Sequence, residues 1–226
     1  SHSYHPQSLP QGNVVSVFDL EYDQRGNIWM ATMGEGLLRL NISTGTVKAY
    51  ITKENAVIDR KVNNIINNYV SQVSLSPDGQ RIYLATSMGL CCMDIATENW
   101  TKVFGVNTLN YAVPTRVAKE YNNKIWIGTN DGLYSYDLST KEYRHLSMEK
   151  GLADNGIASL QQDKNGMIWV GTDHGLCRYD PKNGTTRNYF IDNGLQSNEF
   201  SDGAVCISQQ GTMLFGGVGG VTWFNP

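Results

Sequence analysis

Hydrophobic positions in this chain come in short alternating runs, each broken after a few residues by turn-forming side chains. Over 157–190 the pattern predicts four strands: Ile157 to Gln162, Met167 to Thr172, Leu176 to Tyr179 and Thr186 to Phe190. Asp163-Lys164-Asn165-Gly166 reverses the chain between the first two. Asp180-Pro181-Lys182-Asn183-Gly184 joins the last two, because proline presets its own torsion and glycine accepts positive φ. Equivalent turns stand at Tyr136-Asp137-Leu138-Ser139-Thr140 and Leu40-Asn41-Ile42-Ser43-Thr44-Gly45. No stretch of ten or more residues carries a helical period, Asp59 to Tyr69 being the least regular.

The same pattern recurs along the chain. Asp23-Gln24-Arg25-Gly26-Asn27-Ile28-Trp29-Met30-Ala31-Thr32 returns as Asp163-Lys164-Asn165-Gly166-Met167-Ile168-Trp169-Val170-Gly171-Thr172, each followed by a Gly-Leu pair, Gly36-Leu37 and Gly175-Leu176. Two further copies run from Ser76 to Thr86 before Gly89-Leu90 and from Asn123 to Thr129 before Gly132-Leu133, and a weaker one from Gly211 to Gly217 before Gly220-Val221. Trp29, Tyr83, Trp126, Trp169 and Leu214 are equivalent, at spacings of 54, 43, 43 and 45 residues. That is the length of one four-stranded propeller blade. The expected fold is therefore all-β, a β-propeller of about five four-stranded blade repeats. The segments are 14–54, 55–104, 105–147, 148–190 and an incomplete 191–226, with 1–13 as an amino-terminal segment or strand closing the last blade.

The large flat side chain on each second strand is expected to fill the wedge between neighbouring blades. Ala31, Ala85, Gly128, Gly171 and Gly216 beside it let the adjacent sheet approach. Trp100 and Trp223 fall off that register.

Composition fits a turn-rich folded chain: 226 residues, 40% hydrophobic and 17% charged, with 23 glycines, which excludes disorder as the main state. Lys and Arg number 18 against 21 Asp and Glu, for a net charge of -3, and no window holds more than two adjacent basic residues. Nucleic acid is thereby disfavoured as a partner. No apolar run approaches the roughly 18 residues that span a bilayer, and Ser1 to Gln11 is polar, so the chain as it stands is expected to be soluble and without an export signal. Cys91, Cys92, Cys177 and Cys206 form no Cys-x-x-Cys pair and read as buried small side chains in strands.

The third and fourth copies resemble the two-component-regulator propeller repeat, with its strand, Asp-x-x-Gly, Ile-Trp-Ile-Gly-Thr, Gly-Leu and Tyr-Asp turn. The second departs from it at Tyr83 and Ser76-Pro77-Asp78-Gly79. Asn193-Gly194-Leu195-Gln196-Ser197-Asn198-Glu199-Phe200, Phe215-Gly216-Gly217 and Phe224-Asn225-Pro226 are similar to that family's final blade. The resemblance implies the carboxy-terminal part of a larger propeller of about seven blades. A closed five-bladed ring, with His2 to His5 supplying the missing strand, is the alternative. It further implies a periplasmic sensor region of a hybrid two-component system that detects oligosaccharides, the membrane span and histidine kinase lying outside this chain.

Chemistry-bearing motifs are few. There is no Gly-x-Ser-x-Gly elbow, no His-Glu-x-x-His helix and no phosphate loop, so no catalytic residue, metal or cofactor is expected. Asp163-x-Asn165-Gly166 carries a fragment of calcium-loop spacing without the closing Glu and reads as a β-turn. If each blade runs from inner to outer strand, the long connections and the second-to-third-strand turns share one face, where variable binding loops gather. Glu35, Asn130, Asp131, Asp173 and His174 fall on its inner rim, with Asn110, Tyr111 and Asn155 nearby. Carboxylates, amides and an aromatic ring suit sugar hydroxyls, and they also make ordinary solvated loops. A propeller-fold lyase or glycosidase and a protein-interaction scaffold are the rival readings. Cut blade surfaces predict self-association or a homodimer.

Overall fold

A computed structural model of the chain describes residues 15–52, 65–105 and 112–226. The chain divides into two compact units, Ser1–Thr115 and Arg116–Pro226. In the first, β1 (Val17–Tyr22), β2 (Asn27–Thr32), β3 (Leu37–Asn41) and β4 (Val47–Tyr50) form one antiparallel sheet in that order. β5 (Val70–Leu75), β6 (Arg81–Thr86), β7 (Gly89–Asp94) and β8 (Trp100–Gly105) form a second. In the second unit β9 (Thr115–Tyr121), β10 (Lys124–Thr129), β11 (Gly132–Asp137) and β12 (Tyr143–Leu146) make a third sheet. β13 (Ile157–Gln162), β14 (Ile168–Thr172), β15 (Gly175–Asp180) and β16 (Thr185–Tyr189) make a fourth, and β17 (Phe200–Ile207), β18 (Met213–Gly217) and β19 (Gly220–Phe224) a three-stranded fifth. Each is an up-and-down sheet of propeller-blade type. The amino-terminal segment proposed as a closing strand lies outside the described residues.

The Asp-x-x-Gly turn and the tryptophan are one device. Asp23 Oδ1 accepts the backbone N–H of Arg25 (2.8 Å) and Asn27 (2.9 Å), and Oδ2 accepts the Trp29 indole N–H at 3.2 Å. Asp163 repeats this, Oδ1 taking Asn165 and Met167 and Oδ2 taking the Trp169 indole at 2.9 Å. The carboxylate thus shapes the turn with one oxygen and fixes the indole with the other, which satisfies the only polar atom of a buried ring. Asp163 Oδ1 serves the β-turn and Oδ2 the indole. In the second sheet Ser76 takes the turn role, accepting from Arg81 N at 2.9 Å, and Tyr83 replaces the indole. In the third the turn shortens to Asn122-Asn123, both left-handed at φ 50° and 62°, a conformation asparagine tolerates.

The rings sit where consecutive sheets meet. Trp126 packs edge-on against Tyr179 of β15 (5.8 Å), and Trp169 against Phe224 of β19 (4.5 Å) and Tyr189 of β16 (5.7 Å). In the first unit Trp29, fully buried, stacks with Tyr50 and joins Ile82, Leu84 and Met93 of the second sheet in one cluster. Tyr50 also meets Trp100 edge-on at 6.0 Å, which gives that off-register tryptophan its place. Close approach demands the neighbouring glycine: a Cβ on Gly128 would lie 2.6 Å from both Ile157 Cγ2 and Val117 Cγ1.

Within each unit a sheet therefore shows a tryptophan face to its successor and an aliphatic face to its predecessor. Among the described residues, large apolar side chains lie exposed on the first and the fifth sheets. On the first sheet Leu20 pairs with Met30 and Tyr22 with Ile28, and Phe18, Leu20 and Tyr22 are more than half exposed. On the fifth, Val221 and Trp223 are exposed and Leu214 is half-buried, unlike its four equivalents. The expectation of four buried cysteines is corrected here: Cys91, Cys92 and Cys177 are buried, whereas Cys206 is exposed, because it pairs with Leu214 on that exposed face.

Trp126→Ala or Trp169→Ala is expected to cost roughly 3–5 kcal/mol, as for a buried large aromatic. Trp223→Ala, at a position 69% exposed within the single chain, should cost less than either. Urea unfolding of the three variants checks both, and equal losses would contradict the assignment of faces.

The turn carboxylates also set an acid limit. For Asp23 burial pushes the carboxyl up, but the Asn27 and Arg25 amides and the Trp29 indole outweigh it and hold it below its usual 3.8. Asp137 is drawn down to about 2 by Lys124 and the Thr140 and Ser139 N–H groups, and Asp78, Asp94 and Asp180 are also lowered. A depressed folded value means stability that is whole above the unfolded pKa and lost as pH falls through the folded one. Thermal stability should thus decline below about pH 4. Asp137→Asn should flatten part of that decline in melts from about pH 5 to about pH 2, and an unaltered slope would reject the account.

Candidate functional site

Polar side chains gather at the end of the second unit where the first strands begin. Arg116, second in β9, projects there with its side chain only 19% exposed. Its Nη1 donates to both oxygens of Asp173 at 2.9 Å and to Asn130 Oδ1 at 3.3 Å, while Nε donates to Asp202 Oδ1 at 2.8 Å. Nη2 lies 2.5 Å from the same Asp202 oxygen. Burial works against this cation, but the hydrogen bonds and charges of Asp173 and Asp202 outweigh it and raise the guanidinium pKa. One arginine thereby joins three consecutive sheets: its own, the β14–β15 turn of the fourth and the first strand of the fifth.

Local chain geometry aims these groups. In four turns a threonine hydroxyl donates to the carbonyl of the Gly-Leu glycine: Thr32 to Gly36, Thr86 to Gly89, Thr129 to Gly132 and Thr172 to Gly175, each within 2.9 Å. This lock fixes the two or three residues between, which include Asn130 and Asp131 in the third sheet and Asp173 and His174 in the fourth. Asp173 N donates to Gly156 O at 2.9 Å, and a Cβ on Gly156 would meet Asp173 Oδ2 at 2.1 Å. Only glycine lets the carboxylate lie against that backbone.

Of the residues singled out from sequence, Asn130 and Asp173 meet at Arg116. Asp131 and Asn155 are drawn into framework bonds. Asp131 Oδ2 accepts the Tyr134 hydroxyl at 2.9 Å, and Tyr134 stacks on His145 at 4.1 Å. His145 Nε2 faces the Asp131 carbonyl, which can only accept, so this nitrogen carries the proton. Asn155 Oδ1 accepts Met148 N at 2.8 Å, and its carbonyl accepts Gly132 N. The His174 ring packs near Phe190, 5.8 Å away. Glu35 is half-buried in the β2–β3 turn of the first unit, and Asn110 and Tyr111 lie outside the described residues. Among the described residues no group of three His, Cys, Asp or Glu is placed to hold a metal.

Sequence reasoning missed Arg116 and Asp202, and one of them left a trace. From the start of the first strand to the turn residue takes six positions in the fourth sheet, Ile157 to Asp163, but eight in the fifth, Phe200 to Ser208. The two extra residues account for the 45-residue spacing from Trp169 to Leu214 in place of 43. They enlarge the bulge between Phe200 and Val205 that carries Asp202, with Gly203 left-handed at φ 66°.

Sheets, turn locks and rim together define a β-propeller fold. Residues 151–174 match the family model "two component regulator propeller", a span that runs from the connection before β13 to the rim turn bearing Asp173 and His174. Among solved structures the chain is similar to the extracellular domain of the protein described as hybrid two component system BT3049 from B. thetaiotaomicron, at TM-score 0.76 and 22% identity, covering 98% of this chain and 29% of that one. The extracellular domain of BT4673 from the same organism gives 0.75 and 20%, covering 97% and 28%. The computationally designed Ika8 protein gives 0.60 and 15%, covering 92% and 57%. At these identities the likeness establishes the fold, and the chain spans less than a third of the first two. No curated protein sequence matches it.

Proposed function

We propose that this chain is part of the periplasmic sensing region of a hybrid two-component system, a non-catalytic module that binds oligosaccharide on the rim around Arg116. The observation that carries this reading is the position of the family match, 151–174, which includes Asp173 and His174 and the connection leading to Gly156. The chemistry of the rim supports it. Asp173 and Asp202, with side chains 49% and 58% exposed, and the Asn130 amide offer acceptors and donors at fixed positions, as sugar hydroxyls require. A lyase or glycosidase needs a carboxyl at liberty to exchange a proton, and both oxygens of Asp173 already accept from Arg116.

Calorimetry with a panel of neutral oligosaccharides, paired with chromatography of the incubated sugars, tests the reading. Binding without product is expected, and Asn130→Ala should weaken it roughly tenfold, the loss of one or two hydrogen bonds to sugar. Product formation would establish the enzyme instead, and neither binding nor product would favour a scaffold.

We further infer that the isolated chain self-associates, a second copy covering the apolar faces left by Phe18, Leu20 and Tyr22 and by Val221 and Trp223. The support is the packing of every other sheet pair within each unit, in which a tryptophan face lies on an aliphatic one. Light scattering should give a mass above 25.1 kDa that falls towards it in Leu20→Glu or Trp223→Glu. A wild-type monomer would refute the inference.

A further inference from the structure

We infer that Arg116 is a positioning residue that couples the rim to the fifth sheet, so that whatever engages Asp173 or Asn130 alters how firmly β17 is held. Three observations carry this. First, the guanidinium is bonded at once to the third sheet through Asn130, to the fourth through Asp173 and to the fifth through Asp202. Second, the fifth sheet meets Arg116 only by departing from the pattern of the others. In β1, β5 and β13 the first strand slips by a single residue, as where Ile157 pairs with Thr172 and Ser159 with Gly171. In β17 Phe200 pairs with Gly217 and Val205 with Phe215, so five steps oppose two, and the enlarged bulge presents Asp202. Third, the guanidinium nitrogens that bond Asp173 and Asp202 belong to one rigid plane, so a shift of one carboxylate tilts the donors offered to the other.

The consequence is a lever. A rim ligand that draws Asp173 from Nη1 leaves Asp202 as the sole carboxylate on a poorly exposed cation, and the bulge must follow the guanidinium. Regulation of this kind rests on the rim being the ligand site, but the lever itself does not, and it is tested without any ligand.

Asp173→Asn, Asp202→Asn and Arg116→Met are made in the full chain, singly and combined. Hydrogen exchange is read at the paired amides of Val205–Ile207 and Met213–Gly217. Asp173→Asn lies on the fourth sheet, yet it should speed exchange in the fifth roughly three- to tenfold, as Asp202→Asn does. When either asparagine substitution is combined with Arg116→Met, the sign of its effect on melting temperature should reverse, because two carboxylates then face each other uncompensated and neutralising either is a relief. Fifth-sheet exchange that ignores Asp173→Asn, or an Asp202→Asn effect that is the same with and without Arg116→Met, would overturn the coupling. A silent oligosaccharide panel would leave this result untouched, so the two readings fail separately.

Discussion

The bond between a turn carboxylate and an indole N–H is the constraint on which the rest of this molecule depends. A propeller blade must bury a large flat ring at the place where two twisted sheets diverge, and a buried indole nitrogen without an acceptor costs about 1–3 kcal/mol. Asp23 and Asp163 supply that acceptor from the hairpin that leads into the tryptophan's strand, and the same carboxylate holds the hairpin's own amides. Turn geometry and ring position are therefore set together. Where the acid is absent the repeat adjusts: Tyr83 carries no indole to satisfy, and the hairpin before Trp126 closes through two left-handed asparagines.

From the fixed ring follows a polarity of stacking. Because the ring lies on one face only, each sheet offers unlike surfaces front and back, and sheets add in a single sense. Basic side chains extend this on the tryptophan side: Arg39 lies over Trp29 at 5.4 Å and over Tyr50 at 5.9 Å, and Glu98 from the second sheet closes the group by accepting from Tyr50 and pairing with Lys48 and Arg39. The apolar stem of the arginine covers the ring while its head finds a counterion. At the fifth sheet Trp223 stands where Arg39 and Arg178 stand in theirs and Leu214 where the tryptophans do, so the bulk is exchanged between adjacent strands. The last face is thus chemically distinct from those inside each unit.

Much of this was legible in the chain because the repeat is written in residues with strong local preferences. The four strands of the fourth sheet fall within two residues of the runs that alternation marks, since glycine and proline bound them sharply. Burial of Trp29, Tyr83, Trp126 and Trp169 follows from their shared register, whereas the half exposure of Leu214 and exposure of Cys206 do not, being set by what covers the sheet. The rim was only partly readable. Turn residues such as Asn130 and Asp173 announce themselves by sitting between a threonine and a glycine. Arg116 is one more polar residue in an alternating strand, and its partners are 57 and 86 positions away. Nothing local distinguishes it, and the only hint was an irregular repeat length.

That irregularity also bears on what the rim can recognise. An arginine near a binding surface would ordinarily attract carboxylate or phosphate, but here its Nε, Nη1 and Nη2 are all turned to protein oxygens. The groups left facing solvent are the outer parts of Asp173 and Asp202 and the amide of Asn130. An anionic ligand would meet two half-exposed carboxylates around a cation already matched by both, and would have to break charge-assisted bonds to gain its own. A neutral ligand rich in hydroxyls brings no charge to oppose those carboxylates, since each hydroxyl donates to a carboxylate oxygen, in competition with Arg116 Nη1 at Asp173, and accepts from an amide. The two residues inserted into the first strand of the fifth sheet therefore do more than complete a salt bridge. By bringing a second carboxylate to Arg116 they turn a neutral ion pair into a net anionic group.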